Sequence, residues 1–203
     1  SDVYKRQLLL GQAMHAAEGV KQGEITDMNK FSTAVGKTVS AAERNADITI
    51  STIHIVTPGG NPAVTKHVQT IDIHNQVISR RDIQRIAHAN SHQNLPVGHV
   101  RIQNQPGLYQ LDDQRQIENP LGMCGRQLSL QFSQLSVSQT SYANFAQAVQ
   151  QCHLELGSIH HSAVMASHAC LTKDDRELGT LLIDFGGGTT SVAIFSEGQL
   201  RFA

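Results

Sequence analysis

Aromatic side chains are scarce in this 203-residue sequence, at 4% with no tryptophan, and neither charge sign dominates, with 16 Lys+Arg against 17 Asp+Glu. Without a basic block or a supply of stacking rings the chain lacks the footprint that nucleic-acid binding uses, so no nucleic-acid partner is expected. Long apolar runs are missing too. "LLL" at 8–10 and "TLLIDF" at 180–185 fall far short of the ~20 residues of a membrane-spanning helix, and no segment is expected to cross a bilayer. Cysteine is limited to Cys124, Cys152 and Cys170, an odd number outside any CxxC pattern. That fits a reducing cytoplasm better than a disulfide scaffold and predicts buried or inert thiols. Histidine, by contrast, is plentiful at eleven. His88 and His92 stand at i, i+4 on an expected helix and His160 and His161 are adjacent. Yet "HANSH" has no Glu of the zinc-protease type and no third ligand has a recognisable spacing, so no histidine metal site is expected.

What is present is 39% hydrophobic residues, ample for a packed core. Residues 1–7, "SDVYKRQ", show no period and join abruptly to "LLLG", which reads as a non-native leader. From Met28 to Ala46 apolar residues recur at three- and four-residue steps behind Asp27 or Thr26, an amphipathic helix with an N-cap. "DITISTIHIV" alternates and stops at "TPGGNP", a strand ending in a turn. Residues 57–135 then read as a small β-helix-β-β unit. Val68, Ile71 and Ile73 form a strand; Ser79 caps a helix with Ile83, Ile86 and Ala87 inward; "HVRI", "LYQL" and "QLSLQFSQLSV" are strand-like. "YANFAQAVQQCHLELG" resumes helical spacing, with Gly157 as its expected C-terminal residue. "LTKDDRELG" starts a short helix with Thr172 and Asp175 spaced as a capping box. There is no internal repeat and no low-complexity linker.

The distinctive stretch is "IDFGGGTT" at 183–190. Three consecutive glycines cost more backbone entropy than other triplets, so they are expected to serve positive φ angles or a ligand held against the backbone. "SVAIF" follows, alternating and β-branched, which makes the whole a strand, a glycine turn and a strand. The dinucleotide fingerprint and the lysine-bearing phosphate loop both need a helix after the glycines and are excluded. Two readings remain. The glycines either make a tight hairpin, or the N–H groups of Gly186, Gly187 and Gly188 with the Thr189 and Thr190 hydroxyls form an anion-binding concavity, with Asp184 holding a hydrated divalent ion beside the phosphates. A hairpin needs only one or two glycines, which favours phosphate.

At this point "ELGTLLIDFGGGTTSVAIFSEGQLRF" resembles the second phosphate-binding hairpin of the actin-like ATPase superfamily. "GEITDMNKFSTAVGKTVSAAERNA", "LYQLDDQRQIENPLGMCGRQL" and "ACLTKDDRELG" narrow the resemblance to the FtsA family of bacterial cell-division proteins. It covers the chain from about Leu8 to the end, and "IENPLGMCGRQL" is its most specific run. The resemblance implies an α/β, actin-like (ribonuclease H-like) fold. Residues 8–56 and 136–180 would belong to subdomain 1A, 57–135 would be an inserted SHS2-type subdomain 1C, and 181–203 would open subdomain 2A. It also implies ATP and Mg as ligands, with Asp184 reaching the metal through water.

The implied function is a scaffold on the cytoplasmic side of the inner membrane at the division septum. It would link the FtsZ ring to the membrane, self-associate, and recruit later divisome proteins through the inserted subdomain. By the same resemblance the chain is expected to be part of a longer protein, with the first phosphate hairpin before Leu8 and the adenosine-binding segment, the FtsZ-contacting lobe and a membrane-binding amphipathic helix after Ala203. The family pattern has Asp where this sequence has Ser191. A hydroxyl does not replace a carboxylate in ordering metal-bound water, so no catalytic residue is assigned and at most weak hydrolysis is expected.

A pilus-assembly ATPase of the PilM type is the alternative, since it shares the glycine hairpin and a small inserted domain. A sugar-kinase-like enzyme would need a carboxylate base in the cleft, and the nearest acids, Asp174, Asp175 and Glu177, read as helix-capping residues. Within the inserted unit Arg80, Arg81 and Arg85 crowd little more than one turn. They read either as a solvated face or as a basic patch that docks an acidic partner.

Overall fold

The computed structural model describes residues 8–88 and 95–203. The expected leader and His92 lie outside the described residues. The chain opens on a hairpin too short to show a period in sequence, β1 (Val20–Lys21) and β2 (Glu24–Ile25). Helix α1 (Met28–Ala46) follows, bounded as its periodicity predicts. The Asp27 carboxylate accepts the Lys30 backbone N–H at 3.0 Å, and Asp47 closes the helix in the left-handed region at φ 54°.

Strand β3 (Thr52–Thr57) is shorter than its alternation suggests, with Ile48 and Ile50 ahead of it. It pairs in parallel with β8 (Glu155–His161), which a single helix, α3 (Gln139–Gln151), precedes. Here the sequence reading needs correction. The expected helix through Leu156 with Gly157 as its terminal residue stops at Gln151, and the left-handed residue beyond it is His153 at φ 58°. Gly157 lies inside β8, where an added Cβ would stand 2.7 Å from the His54 ring. A glycine demanded by close strand packing thus resembles a helix stop. Phe31 of α1 meets Phe145 of α3 edge to face at 5.8 Å, joining the two helices beside this sheet.

The inserted unit forms a sheet of its own. β4 (Ala63–Asp72), β5 (His99–Leu111), β6 (Gln114–Ile117) and β7 (Gln127–Ser138) are antiparallel in the order β4-β7-β5-β6, and α2 (Arg80–His88) packs on them. β5 is one strand where the sequence showed two pieces, because its register shifts between Pro106 and Tyr109. β6 was not foreseen. Ile78, Ile86, Leu128, Leu130 and Phe132 form the core of the unit, each at most 2% exposed and each contributing about 1.5–3 kcal/mol by burial. Ala87, expected inward, is exposed.

The remaining elements are α4 (Ser162–Cys170), α5 (Lys173–Leu178), β9 (Thr180–Phe185), β10 (Thr190–Ser196) and β11 (Gln199–Phe202), the strands ordered β11-β10-β9. α5 carries the predicted capping box, with Thr172 and Asp175 bonded reciprocally. The cysteines are free, but Cys124 and Cys170 are exposed rather than buried, and only Cys152 is partly covered, which pushes its thiol pKa up. Among the described residues no helix is long and apolar enough to cross a membrane.

Candidate functional site

The glycine stretch forms the expected hairpin. β9 and β10 pair antiparallel from Thr180↔Phe195 to Phe185↔Thr190, and the Gly186 N–H donates to the Thr189 carbonyl at 2.8 Å to close the turn. Gly186, Gly187 and Gly188 are exposed, and none of them has positive φ. A Cβ on Gly187 or Gly188 would meet nothing within 4 Å. Neither handedness nor internal packing accounts for two of these glycines, so the remaining reason for them is open backbone.

The hairpin sorts the predicted site residues by strand parity. Asp184 lies opposite Ser191 on the face turned toward α4, while Thr190 lies opposite Phe185 on the other face. The structure therefore brings Gly187, Gly188 and Thr189 together at the rim of one cavity, while Asp184 and Thr190 are not among its lining residues and lie on opposite faces of the hairpin. The sequence reading expects Leu182, Val192 and Ile194 in the core, and the two faces bear out only the first of these. Ala193 and Phe195 are buried at 0% and 1% exposure, with Leu182 packed against their cluster, whereas Ile194 is 39% exposed and Val192 is only half-buried. Leu181, Ile183 and Phe185 share that outer face, so both sides of the hairpin are apolar and alternation alone cannot choose between them.

Behind Asp184 the junction of β8 and α4 contributes two residues that sequence reasoning missed. His161 is 2% exposed. Burial pushes its pKa down, against the opposing effects of a bond to the Pro58 backbone and the Asp184 charge. Its Nδ1 has no partner among the described residues. The neighbouring Ser162 hydroxyl donates to the Ser191 hydroxyl at 3.5 Å. The cluster thus offers a carboxylate, two hydroxyls and a buried imidazole within one corner. His161 belongs to an adjacent pair whose only sequence signal is a metal ligand's, and among the described residues no group of three metal-ligating side chains exists.

Opposite the glycine turn stands the β1–β2 hairpin, and a cavity of about 570 Å³ is lined by residues 20–23 on one side and 187–189 on the other. Lys21 is the cation on that wall. Nothing in the sequence marked it except the "QG" dipeptide of a two-residue turn. The acids of α5 stand elsewhere. Asp175 is engaged by Thr172, whose hydrogen bonds hold the carboxyl below the usual range, and Glu177 lines a separate cleft with Lys173 and Arg176.

Residues 59–135 match the family model described as the SHS2 domain inserted in FtsA. A solved chain described as the PilM-PilN type IV pilus biogenesis complex superposes with a TM-score of 0.51 at 10% identity, covering 92% of this chain and 50% of that one. Sheet, inserted unit and glycine hairpin together define the class: an α/β chain of the actin-like ATPase fold carrying an SHS2 subdomain. Within the class, the chain is 30% identical over 195 residues to the cell division protein FtsA of Rhizobium meliloti, covering 96% of this chain and 44% of the relative. It is 24% identical over 193 residues to FtsA of Escherichia coli K12, covering 95% and 46%. The chain is thus related to the bacterial cell-division protein FtsA through nearly its whole length, SHS2 subdomain included, and it spans less than half the length of these relatives.

Proposed function

We propose that the chain serves bacterial cell division as an ATP-binding, actin-like scaffold of the FtsA type. The observation that carries this is the glycine turn, whose Gly187 and Gly188 are explained neither by positive φ nor by packing, in a chain similar to FtsA over 96% of its own length. The residues present suit a polyphosphate. Open N–H groups of the turn would donate to phosphate oxygens, Thr189 would add a hydroxyl, and Asp184 would hold Mg through water. Bound Mg would neutralise phosphate charge. Ser191, at 6% exposure beside Asp184, supplies a hydroxyl where the family pattern has a carboxylate, which supports nucleotide used as a conformational ligand with at most slow hydrolysis.

By relation to FtsA, the whole protein is proposed to act at the septum on the cytoplasmic side of the inner membrane. Its proposed contacts are FtsZ, the membrane, further copies and later divisome proteins. The likeness to the PilM chain concerns the fold, and no residue observed here favours a pilus role.

Depleting the protein from its native cell should block septation and give filaments; normal division on depletion would remove the division reading. For the nucleotide, amide NMR of the 203-residue chain should show Mg-ATP moving the Gly186, Gly187 and Gly188 resonances with Kd of about 1 mM or weaker, since one turn and one hairpin bury little of the ligand. Gly187→Val should abolish the effect while leaving the fold intact, because its side chain projects into open space. Unmoved turn resonances at about 10 mM ligand would exclude a phosphate site.

A further inference from the structure

Lys21 occupies a position with no internal use. Its turn is a two-residue connection with both central residues left-handed, Gln22 at φ 52° and Gly23 at φ 75°, the geometry that best joins two twisted strands. Lys21 pairs in register with Glu24, where a cross-strand ion pair is the ordinary outcome. Glu24 is committed elsewhere: one carboxylate oxygen accepts the Gly60 N–H at 2.6 Å and the other accepts the Ser141 hydroxyl at 2.7 Å. Among the described residues no carboxylate lies within ion-pair distance of Lys21.

The hairpin that carries Lys21 is nevertheless held firmly. The Gly19 carbonyl accepts the N–H groups of Thr26 and Asp27 at 2.8 and 3.0 Å, and the Gly23 carbonyl accepts the Thr57 hydroxyl at 3.1 Å. Gly23 also lies so close against the Gly59 backbone that a Cβ has no room. The Lys21 side chain is itself exposed, and the hairpin holds its backbone across a cavity of about 570 Å³ from Gly187, Gly188 and Thr189.

We propose that Lys21 is a phosphate-contacting residue, its ammonium meeting the bound polyphosphate from the wall opposite the glycine turn. This rests on the phosphate reading of that turn. The chemistry is a point-charge contact: a flexible stem and three rotatable donors tolerate the shift of a phosphate chain better than a fixed fork does. Lys21 is the one charged side chain among the described residues that line this cavity, which makes the site favourable to anions.

The test uses Mg-tripolyphosphate as the probe on the 203-residue chain, with competitive lysine acetylation read by mass spectrometry and the turn amides read by NMR. Tripolyphosphate should slow acetylation of Lys21 about fivefold, the scale of one exposed charge pair, while Lys30 and Lys37 react unchanged. Lys21→Gln should weaken tripolyphosphate binding by a similar about fivefold factor and flatten its salt dependence, and Lys21→Arg should retain most of both. Protection of Lys21 should vanish in Gly187→Val. Turn amides that shift with no protection of Lys21 would overturn its role and leave the phosphate site standing. Protection that persists in Gly187→Val would place the anion elsewhere and overturn it as well, and a silent turn would remove both proposals together.

Discussion

Glu24 sits one residue past the first turn of the chain, and both of its carboxylate oxygens are occupied, by the Gly60 N–H and the Ser141 hydroxyl. It ties the β1–β2 hairpin to α3 and to the loop after β3. Removing it leaves two donors to find water in a partly buried place, a loss of about 1–3 kcal/mol. Glu24→Ala should lower the urea midpoint accordingly and, by loosening the hairpin, restore the acetylation rate of Lys21 in the presence of tripolyphosphate. An unchanged midpoint would show that the clasp is not formed in solution. His161 gives a pH prediction. Burial depresses its pKa, so the folded chain keeps it neutral while the unfolded chain takes up a proton near pH 6.5. Its contribution to stability is therefore intact above about pH 6.5 and lost as the pH falls toward the folded value. The nearby Asp184 charge and the Pro58 bond oppose this loss. Urea midpoints between about pH 7.5 and about pH 5.5 should fall in the parent chain and fall less in His161→Gln; parallel slopes would clear His161 of the effect.

At the scale of elements, legibility in the sequence followed the number of independent local signals. α1 is legible because a cap and a period agree, Asp27 and the three- and four-residue steps from Met28, while its left-handed stop at Asp47 shows only in the structure. α5 was read from its capping box alone, and that box is testable. Thr172→Ala should cost about 1 kcal/mol, measured by denaturant unfolding, and should let the Asp175 carboxyl return toward its ordinary pKa, which the Thr172 bonds now lower. A carboxyl that stays low in the variant would point to another cause. β8 was missed because "ELGSIHH" carries a glycine and two histidines, and its strand character comes from parallel pairing with β3, a partner about a hundred residues away in sequence. The β9–β10 core face was misread for the opposite reason, since both faces are apolar. The glycine turn was legible because composition marked it. Lys21, His161 and Ser162 were not, because each reaches the site through tertiary placement of a strand end or a two-residue hairpin.

For the whole molecule, the SHS2 subdomain is a separate antiparallel sheet with its own core, and its helix α2 carries the three arginines that the sequence offers as a basic patch. The structure narrows that patch. Arg85 is spent within the subdomain, its guanidinium 3.3 Å from the Asp82 carboxylate and donating to the Asp72 carbonyl at 2.6 Å, while Asp82 is itself held by Ser79. Reversing Arg85 would therefore unsettle the helix start and confuse a binding test. Arg80 and Arg81 are exposed on the first turn of α2, where a positive charge opposes the helix dipole. Substituting them with Glu should hold or slightly raise stability, by about 0.3–1 kcal/mol, which makes the pair a clean probe of contact. If α2 docks an acidic surface on a second copy or a later division protein, Arg80→Glu with Arg81→Glu should weaken association at low salt by about tenfold or more, and the difference from the parent should shrink as salt rises. Sedimentation across a salt series, with circular dichroism as the check on folding, measures both. Equal association of parent and double variant at low salt would reduce the two arginines to solvated surface and move the contact to the strands of the subdomain.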